Sequence, residues 1–311
     1  MIQVNKDDVL RMTIGAIIML LVIFVVFHFY QKQNPSKQLA FKASRVDLVS
    51  RMQLALASAS EAEKSAVLAI TDQESQTFAN HARIAEAEVE KAQQELGELL
   101  KAGGTEGEKA LLNQFFEVFT EFKRIDDELL KLAIKNTNIK AYNLAFGPAA
   151  VALNEMNAAL SHLIASNVGS PEESQVTRLA SGAEISGLHL QTLIPPHIAE
   201  ESDSKMDELE ALMSQDDGQI HKNLDKLSAF PELNQKAHLA AALAGYERFS
   251  KIRTRIMALS RENTNIKSLS ISLNQKRKVM LLCQEALNKL QQTILEEPIA
   301  GITYGRPARP R

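Results

Sequence analysis

The sequence predicts an all-α protein: an N-terminal transmembrane helix followed by two tandem up-down-up-down four-helix bundles. Three observations carry that expectation. Ala, Leu, Glu, Lys and Gln dominate, while 311 residues hold only 13 Gly, 9 Pro and no Trp; the abundant types lose little rotamer freedom in a helix. Apolar side chains recur at helical spacing through most of the chain. And one motif occurs twice, as Asn136-Thr137-Asn138-Ile139-Lys140 and Asn263-Thr264-Asn265-Ile266-Lys267, at an offset of 127 residues. The match continues upstream at that offset, with Lys109-Ala110 on Lys236-Ala237, Leu112 on Leu239, Phe122 on Phe249, Ile125 on Ile252 and Leu132 on Leu259. A repeat of this period marks a duplicated structural unit, here residues 41–168 and 170–297.

Residues 1–11 form a short N-terminal tail. Met12 to Tyr30 carries no formal charge and centres on Ile17-Ile18-Met19-Leu20-Leu21-Val22-Ile23-Phe24-Val25-Val26-Phe27. About 20 apolar residues span a bilayer as a helix. The apolar core is too long for a signal peptide and no small-residue cleavage site follows. So 12–30 reads as an uncleaved single-pass anchor. Lys6 and Arg11 precede it, whereas Lys32, Lys37, Lys42 and Arg45 follow; a literal positive-inside count puts the large domain in the cytosol.

Residues 31–40 read as a linker through Asn34-Pro35-Ser36. Repeat 1 is then expected as helices over about 41–70, 73–101, 107–135 and 139–165, with a stop at Ala102-Gly103-Gly104 and a kink at Gly147-Pro148. Its clearest seam is Leu112, Phe115, Phe119, Phe122, Leu129 and Leu132, at the three/four spacing of a helix packed on its neighbours. Asn167-Val168-Gly169-Ser170-Pro171 separates the repeats. Repeat 2 follows as helices over about 172–195, 199–227, 232–261 and 267–296, with turns at Pro195-Pro196 and Phe230-Pro231. The two Asn-Thr-Asn segments are expected to cap the helices after them. Residues 298–311, rich in Pro, Gly and Arg, form a flexible basic tail.

Charge gives little chemistry. The net charge of −3 mixes 35 basic with 38 acidic residues, without the basic stripe of a nucleic-acid binder. The single Cys283 excludes an internal disulfide and a multi-Cys metal cluster, and its helical setting predicts a buried thiol. The seven histidines lack metal-ligand spacing. Gly103-Gly104-Thr105-Glu106-Gly107-Glu108-Lys109 lacks the Gly-Lys-Ser/Thr and preceding strand of a phosphate loop. Glu200, Glu201, Asp203, Asp207, Glu208 and Glu210 read as a solvated helix face. No catalytic, cofactor-binding or metal residue is therefore expected, and no enzyme. At matched repeat positions, Glu121, Asp126 and Glu128 stand opposite Arg248, Arg253 and Arg255; these are either exposed charges that vary freely or the marks of third helices packed acid to base in an internal pseudo-dimer, the other assembly open to such bundles being a homodimer.

Glu63-Lys64 with Ala69-Ile70-Thr71-Asp72, Leu132-Ala133-Ile134-Lys135-Asn136-Thr137-Asn138-Ile139-Lys140-Ala141 and Phe146-Gly147-Pro148-Ala149 resemble the four-helix-bundle ligand-binding domain of methyl-accepting chemotaxis receptors. Pro196-His197-Ile198-Ala199-Glu200-Glu201 and Met206-Asp207-Glu208-Leu209-Glu210-Ala211 share that character. The likeness covers about 40–297. It implies a sensor on the extracytoplasmic side of the bacterial cytoplasmic membrane, in conflict with the charge count. No second span, linker module or signalling coiled coil follows the last helix, so the resemblance implies a sensor whose output passes through a separate signalling partner. It also implies a small molecule or protein as its stimulus. Arg51, Arg83 and Arg178 are candidate anion clamps by residue type alone; the ligand-binding residues stay unassigned. The rival expectation is a membrane-tethered scaffold that holds a partner protein.

Overall fold

A computed structural model describes Met19 and residues 35–230 and 236–299. The predicted tail 1–11, the anchor 12–30 apart from Met19, residues 31–34 of the linker, the Pro231 turn residue and the tail beyond 299 lie outside the described residues. Among those described, every regular element is helical, and no helix is long and apolar enough to cross a membrane. The helices are α1 (Pro35–Leu68), α2 (Asp72–Gly103), α3 (Glu106–Ala133), α4 (Thr137–Leu144), α5 (Ala150–Ser166), α6 (Glu173–Ala199), α7 (Asp203–Ser228), α8 (Lys236–Glu262), α9 (Thr264–Ile271) and α10 (Arg277–Glu296).

Local chemistry explains the starts. Thr71 Oγ1 accepts the Glu74 N–H at 3.2 Å and donates to the Glu74 carboxylate at 2.9 Å, capping α2. At α3, Thr105 Oγ1 accepts the Glu108 N–H at 3.2 Å, and Glu108 Oε2 accepts the Thr105 N–H at 2.8 Å. This is a reciprocal capping box. Gly104 precedes it because a Cβ there would stand 2.8 Å from the Leu100 Cα.

Two expected breaks are absent or displaced, and a third falls where expected but in an unexpected form. The linker does not extend to residue 40, because α1 begins at Pro35, whose fixed φ suits a first helical position. Pro195-Pro196 is no turn: α6 runs through both and ends at Ala199, and the Pro195 carbonyl accepts the Tyr142 hydroxyl at 3.3 Å. Gly147-Pro148 sits in a π-helical turn, Ala145–Ala149, that joins α4 to α5. A π-turn widens the hydrogen-bond ladder where proline cannot donate. A second π-turn, Ser272–Lys276, joins α9 to α10. It falls at the same 127-residue offset and contains neither Gly nor Pro.

The helices divide into two compact units that interleave along the sequence, rather than following 41–168 and 170–297. Among the described residues, one unit comprises 35–58, 84–120 and 281–299. Its core includes Met52, Leu56, Leu96, Leu100, Phe115 and Leu287. Lys42 Nζ donates to the carbonyls of Leu295 and Glu297 at 2.6 and 2.7 Å, which satisfies the end of α10. Arg45, buried, donates to Glu108 at 2.6 Å.

The other unit comprises residues 59–83 and 121–280. Its larger core joins Leu153, Met156 and Leu160 of α5 to Leu179, Leu190, Leu224 and Phe249 of α6 to α8. The fourth helix of repeat 1 thus packs on the first three of repeat 2. A smaller core joins Ala66, Val67, Ala79, Leu129 and Leu130 of repeat 1, with Ile271 of repeat 2 against them. The fourth helices are exchanged. At the second motif only Asn263 separates Glu262 from Thr264, fewer than the two to five residues of an antiparallel helix hairpin; at the first, three residues separate Ala133 from Thr137.

The acid-to-base interface does not form. Asp126 pairs with Lys276, Arg253 with Asp217 at 2.7 Å, and Arg248 with Glu155. Glu121 and Glu128 pair with Arg124 on their own helix. Exchange of the fourth helices supplies each third helix with other partners.

Candidate functional site

The duplicated motif sits at a local pseudo-twofold. Asn136 and Asn263 adopt left-handed φ of 51° and 55°. Neither caps through its side chain, contrary to the expected caps. The side chains bind the other copy instead. The Thr137 N–H donates to Thr264 Oγ1 at 3.2 Å and the Thr264 N–H to Thr137 Oγ1 at 3.1 Å. The Asn138 and Asn265 N–H groups donate to each other's side-chain oxygens, both at 3.1 Å. Asn265 Nδ2 donates to Asn136 Oδ1 at 2.9 Å, and Asn138 Nδ2 to Asn263 Oδ1 at 2.7 Å. Backbone donors and amides that burial would otherwise orphan are satisfied in pairs.

The acidic face is not simply solvated. Arg261 donates to Glu210 at 2.7 Å and also binds Asp207. Buried His197 bridges Ser260 at 2.8 Å and Glu210 at 2.9 Å. The Arg261 guanidinium, with burial opposing it, draws the Glu210 carboxyl below the usual range. These contacts fasten α6, α7 and α8; in the 250 Å³ cleft beside them the charged lining groups Glu210, Asp217 and Arg253 are already paired. Tyr246 and Arg253 are likewise consumed by Asp217.

One cluster is not consumed. Beside the π-turn Ser272–Lys276 lies a cleft of 470 Å³ between α1 and the α9–α10 segment. Its apolar wall is Val67, Leu68, Leu269, Leu273 and Met280; its polar lining includes Glu63, Lys64, Ser272, Lys276 and Arg277. Below it, the Lys276 ammonium pairs with Asp126 and stands 3.4 Å from the centroid of the Phe122 ring. Lys276 is 1% and Asp126 1% exposed, so the pair is closed to water and the ring face adds cation–π attraction.

Glu63 is 0% exposed, and neither carboxyl oxygen has a hydrogen-bond partner. Burial pushes its carboxyl above the usual range; the nearby Ser272 hydroxyl and Lys276 oppose that rise, while Asp126 adds to it. Lys276 neutralises one carboxylate, and a second charge here would stand unpaired in a low-dielectric site. Glu63 is therefore held as a carboxylic acid beyond the ordinary glutamate range.

The arginines singled out by residue type do not build this site. Arg51 meets Glu95 at 3.2 Å on the surface, Arg83 reaches only Asn80 on its own helix at 3.5 Å, and Arg178 is exposed. Glu63, Ser272 and Lys276 were not singled out for chemistry. The one available signal was Glu63 at an otherwise apolar helix position, between Ala59 and Ala66. Cys283 is buried, as its setting predicts.

The geometry defines a helical-bundle module with a cleft beside a buried charge cluster. Residues 11–178, just over half of the chain, match the model of the family described as four helix bundle sensory module for signal transduction. The chain belongs to that family of chemoreceptor-type sensory modules. Comparison with curated proteins and with solved structures gives no match.

Proposed function

We propose that the chain is an extracytoplasmic sensory module, anchored by residues 12–30, that binds a small molecule in the Glu63 cleft and signals through a separate protein. The observation that carries this reading is the fully buried, unpartnered Glu63 at the wall of a largely apolar cleft. Pockets for small molecules combine such walls with a few convergent polar groups. The cleft abuts the π-turn Ser272–Lys276, and occupancy there would act on the register of α9 and α10. Small helix shifts of an ångström or two are a known currency of such signals.

The rival, a membrane-tethered scaffold, draws on Leu281, Leu282 and Leu295 of α10, which are 57%, 51% and 55% exposed. Topology separates the two. Reporters active only outside or only inside the cytosol, fused after Arg311, are expected to show an extracytoplasmic C-terminus. A cytosolic C-terminus overturns the sensor reading and leaves the scaffold.

A further inference from the structure

The charges around the cleft select among ligand chemistries. Lys276 and Asp126 cancel each other. Lys64 and Arg277 are exposed, line the cleft, and form no ion pair among the described residues. Glu63 faces Ser272 and Lys276 from the α9–α10 side, Asp126 from α3 and Lys64 on its own helix; the two carboxylates and three cations leave a positive balance. A cationic guest would meet two unpaired positive groups. A fully apolar guest would leave the Glu63 carboxyl without a partner, a cost that burial makes large. An anion with an apolar body answers both requirements.

Resting on the proposed sensor reading, we propose that the cleft binds an amphipathic organic monoanion. Lys64 and Arg277 hold its anionic head, Glu63 as a neutral carboxylic acid donates a hydrogen bond to it, and Val67, Leu269, Leu273 and Met280 pack its apolar body. The 470 Å³ volume admits a small aliphatic or aromatic carboxylate. Because Glu63 must carry its proton to donate, binding is linked to pH. An ionised Glu63 repels the head group, so affinity falls as pH rises through the Glu63 titration.

The test is calorimetric titration of the purified full chain in detergent, against protein-free micelles, with four probes: hexanoate, hexanamide, hexylamine and acetate. Hexanoate should bind at least about tenfold more tightly than the neutral, cationic or body-less probe. Removing both rim cations, Lys64→Ser with Arg277→Ser, should weaken hexanoate by about tenfold or more, the scale of a charge-assisted contact. Both residues are exposed, so the unliganded melting temperature should stay put. Because burial raises the Glu63 carboxyl, hexanoate affinity should fall as pH is raised from the acid to the alkaline side. Glu63→Gln keeps a donor and should bind hexanoate with that dependence gone.

Preference for hexylamine or hexanamide, blocked by Leu68→Trp, overturns the monoanion while leaving a small-molecule cleft. Hexanoate affinity indifferent to both rim cations or to pH overturns it too. Binding of none of the four probes overturns both the monoanion and the cleft as a sensor site.

Discussion

The two π-turns occupy identical places in the two repeats, yet only one carries chemistry. The 127-residue offset sets Glu63 on Leu190, Asp126 on Arg253, Ser272 on Ala145 and Lys276 on Ala149. Around Ala145–Ala149 the equivalent space is apolar: Leu190 is 0% and Ala149 1% exposed. Arg253, at the place of Asp126 and with Ala149 where Lys276 would stand, pairs with Asp217 at 2.7 Å. Phe122 and Phe249 are both fully buried, but only Phe122 has an ammonium over its face. The duplication therefore copies a backbone device, the left-handed Asn followed by a π-turn, and leaves its side chains free to diverge. One copy is solid core and the other holds a buried charge cluster beside a cleft.

The largest test of that difference is Lys276→Ala. It strands Asp126, buried and without a counter-charge, and should cost about 3–5 kcal/mol, read as a lower midpoint in denaturant unfolding. Replacing both partners, Lys276→Met with Asp126→Leu, removes both buried charges together and should recover most of the loss. A cost below about 1 kcal/mol for Lys276→Ala would place the pair in the range of solvent-exposed bridges and erase the contrast.

The shared device comes next. Asn136→Ala and Asn263→Ala each force a non-glycine residue without side-chain donors into left-handed backbone. Each should cost about 1–3 kcal/mol. Asn138→Ala and Asn265→Ala contact one another, so their costs should fail to add by about 0.5 kcal/mol or more. Strict additivity in a double-mutant cycle would mean that the two motifs do not act as one unit. Smaller still is Gly245→Ala, where a Cβ would lie 2.9 Å from the Met156 backbone nitrogen; close packing predicts a loss of about 1–2 kcal/mol. Its repeat counterpart Val118 carries a side chain at the matched position, so Val118→Ala tests whether the tight crossing belongs to repeat 2 alone.

Much of this was legible from the sequence, for physical reasons that also mark where legibility ends. Helix content and the seam Phe115, Phe119, Phe122 and Leu129 follow from composition and spacing, since burial of an apolar stripe is a local pattern. The repeated Asn-Thr-Asn motif announced the duplication. What it does was not legible, because reciprocal bonds between Thr137 and Thr264 are contacts between distant segments, and a cap and a twofold contact look alike in one dimension. The exchange of fourth helices was hidden for the same reason: helix periodicity is silent on which neighbour a helix takes. The π-turn at Ser272–Lys276 has no Gly or Pro to announce it, whereas Gly147-Pro148 marked its counterpart. Glu63 was quoted only as part of a likeness, because a buried carboxyl differs from a surface one by its surroundings. Glu63, Asp126 and Lys276 lie on three helices, and nothing in their spacing unites them.

The subtlest consequence is a pH dependence confined to one repeat. Burial raises the Glu63 carboxyl above its ordinary value near 4.5. The folded state thus holds a proton that the unfolded chain releases at lower pH. The stabilising contribution is intact below about 4.5 and declines as pH rises from there through the raised folded value. The slope from one such group is at most about 1.4 kcal/mol per pH unit, and the effect accumulates over the interval between the unfolded and the raised folded value. Glu63→Gln removes the titration without removing the volume. Its unfolding free energy should stay flatter than the parent's over the alkaline side, and the variant should become the more stable of the two there. Leu190→Gln, the matched change in the other repeat, should lower stability by the same amount at every pH. Parallel curves for parent and Glu63→Gln would show that Glu63 titrates as an ordinary solvated carboxyl, and the asymmetry between the repeats would then rest on Lys276 and Asp126 alone.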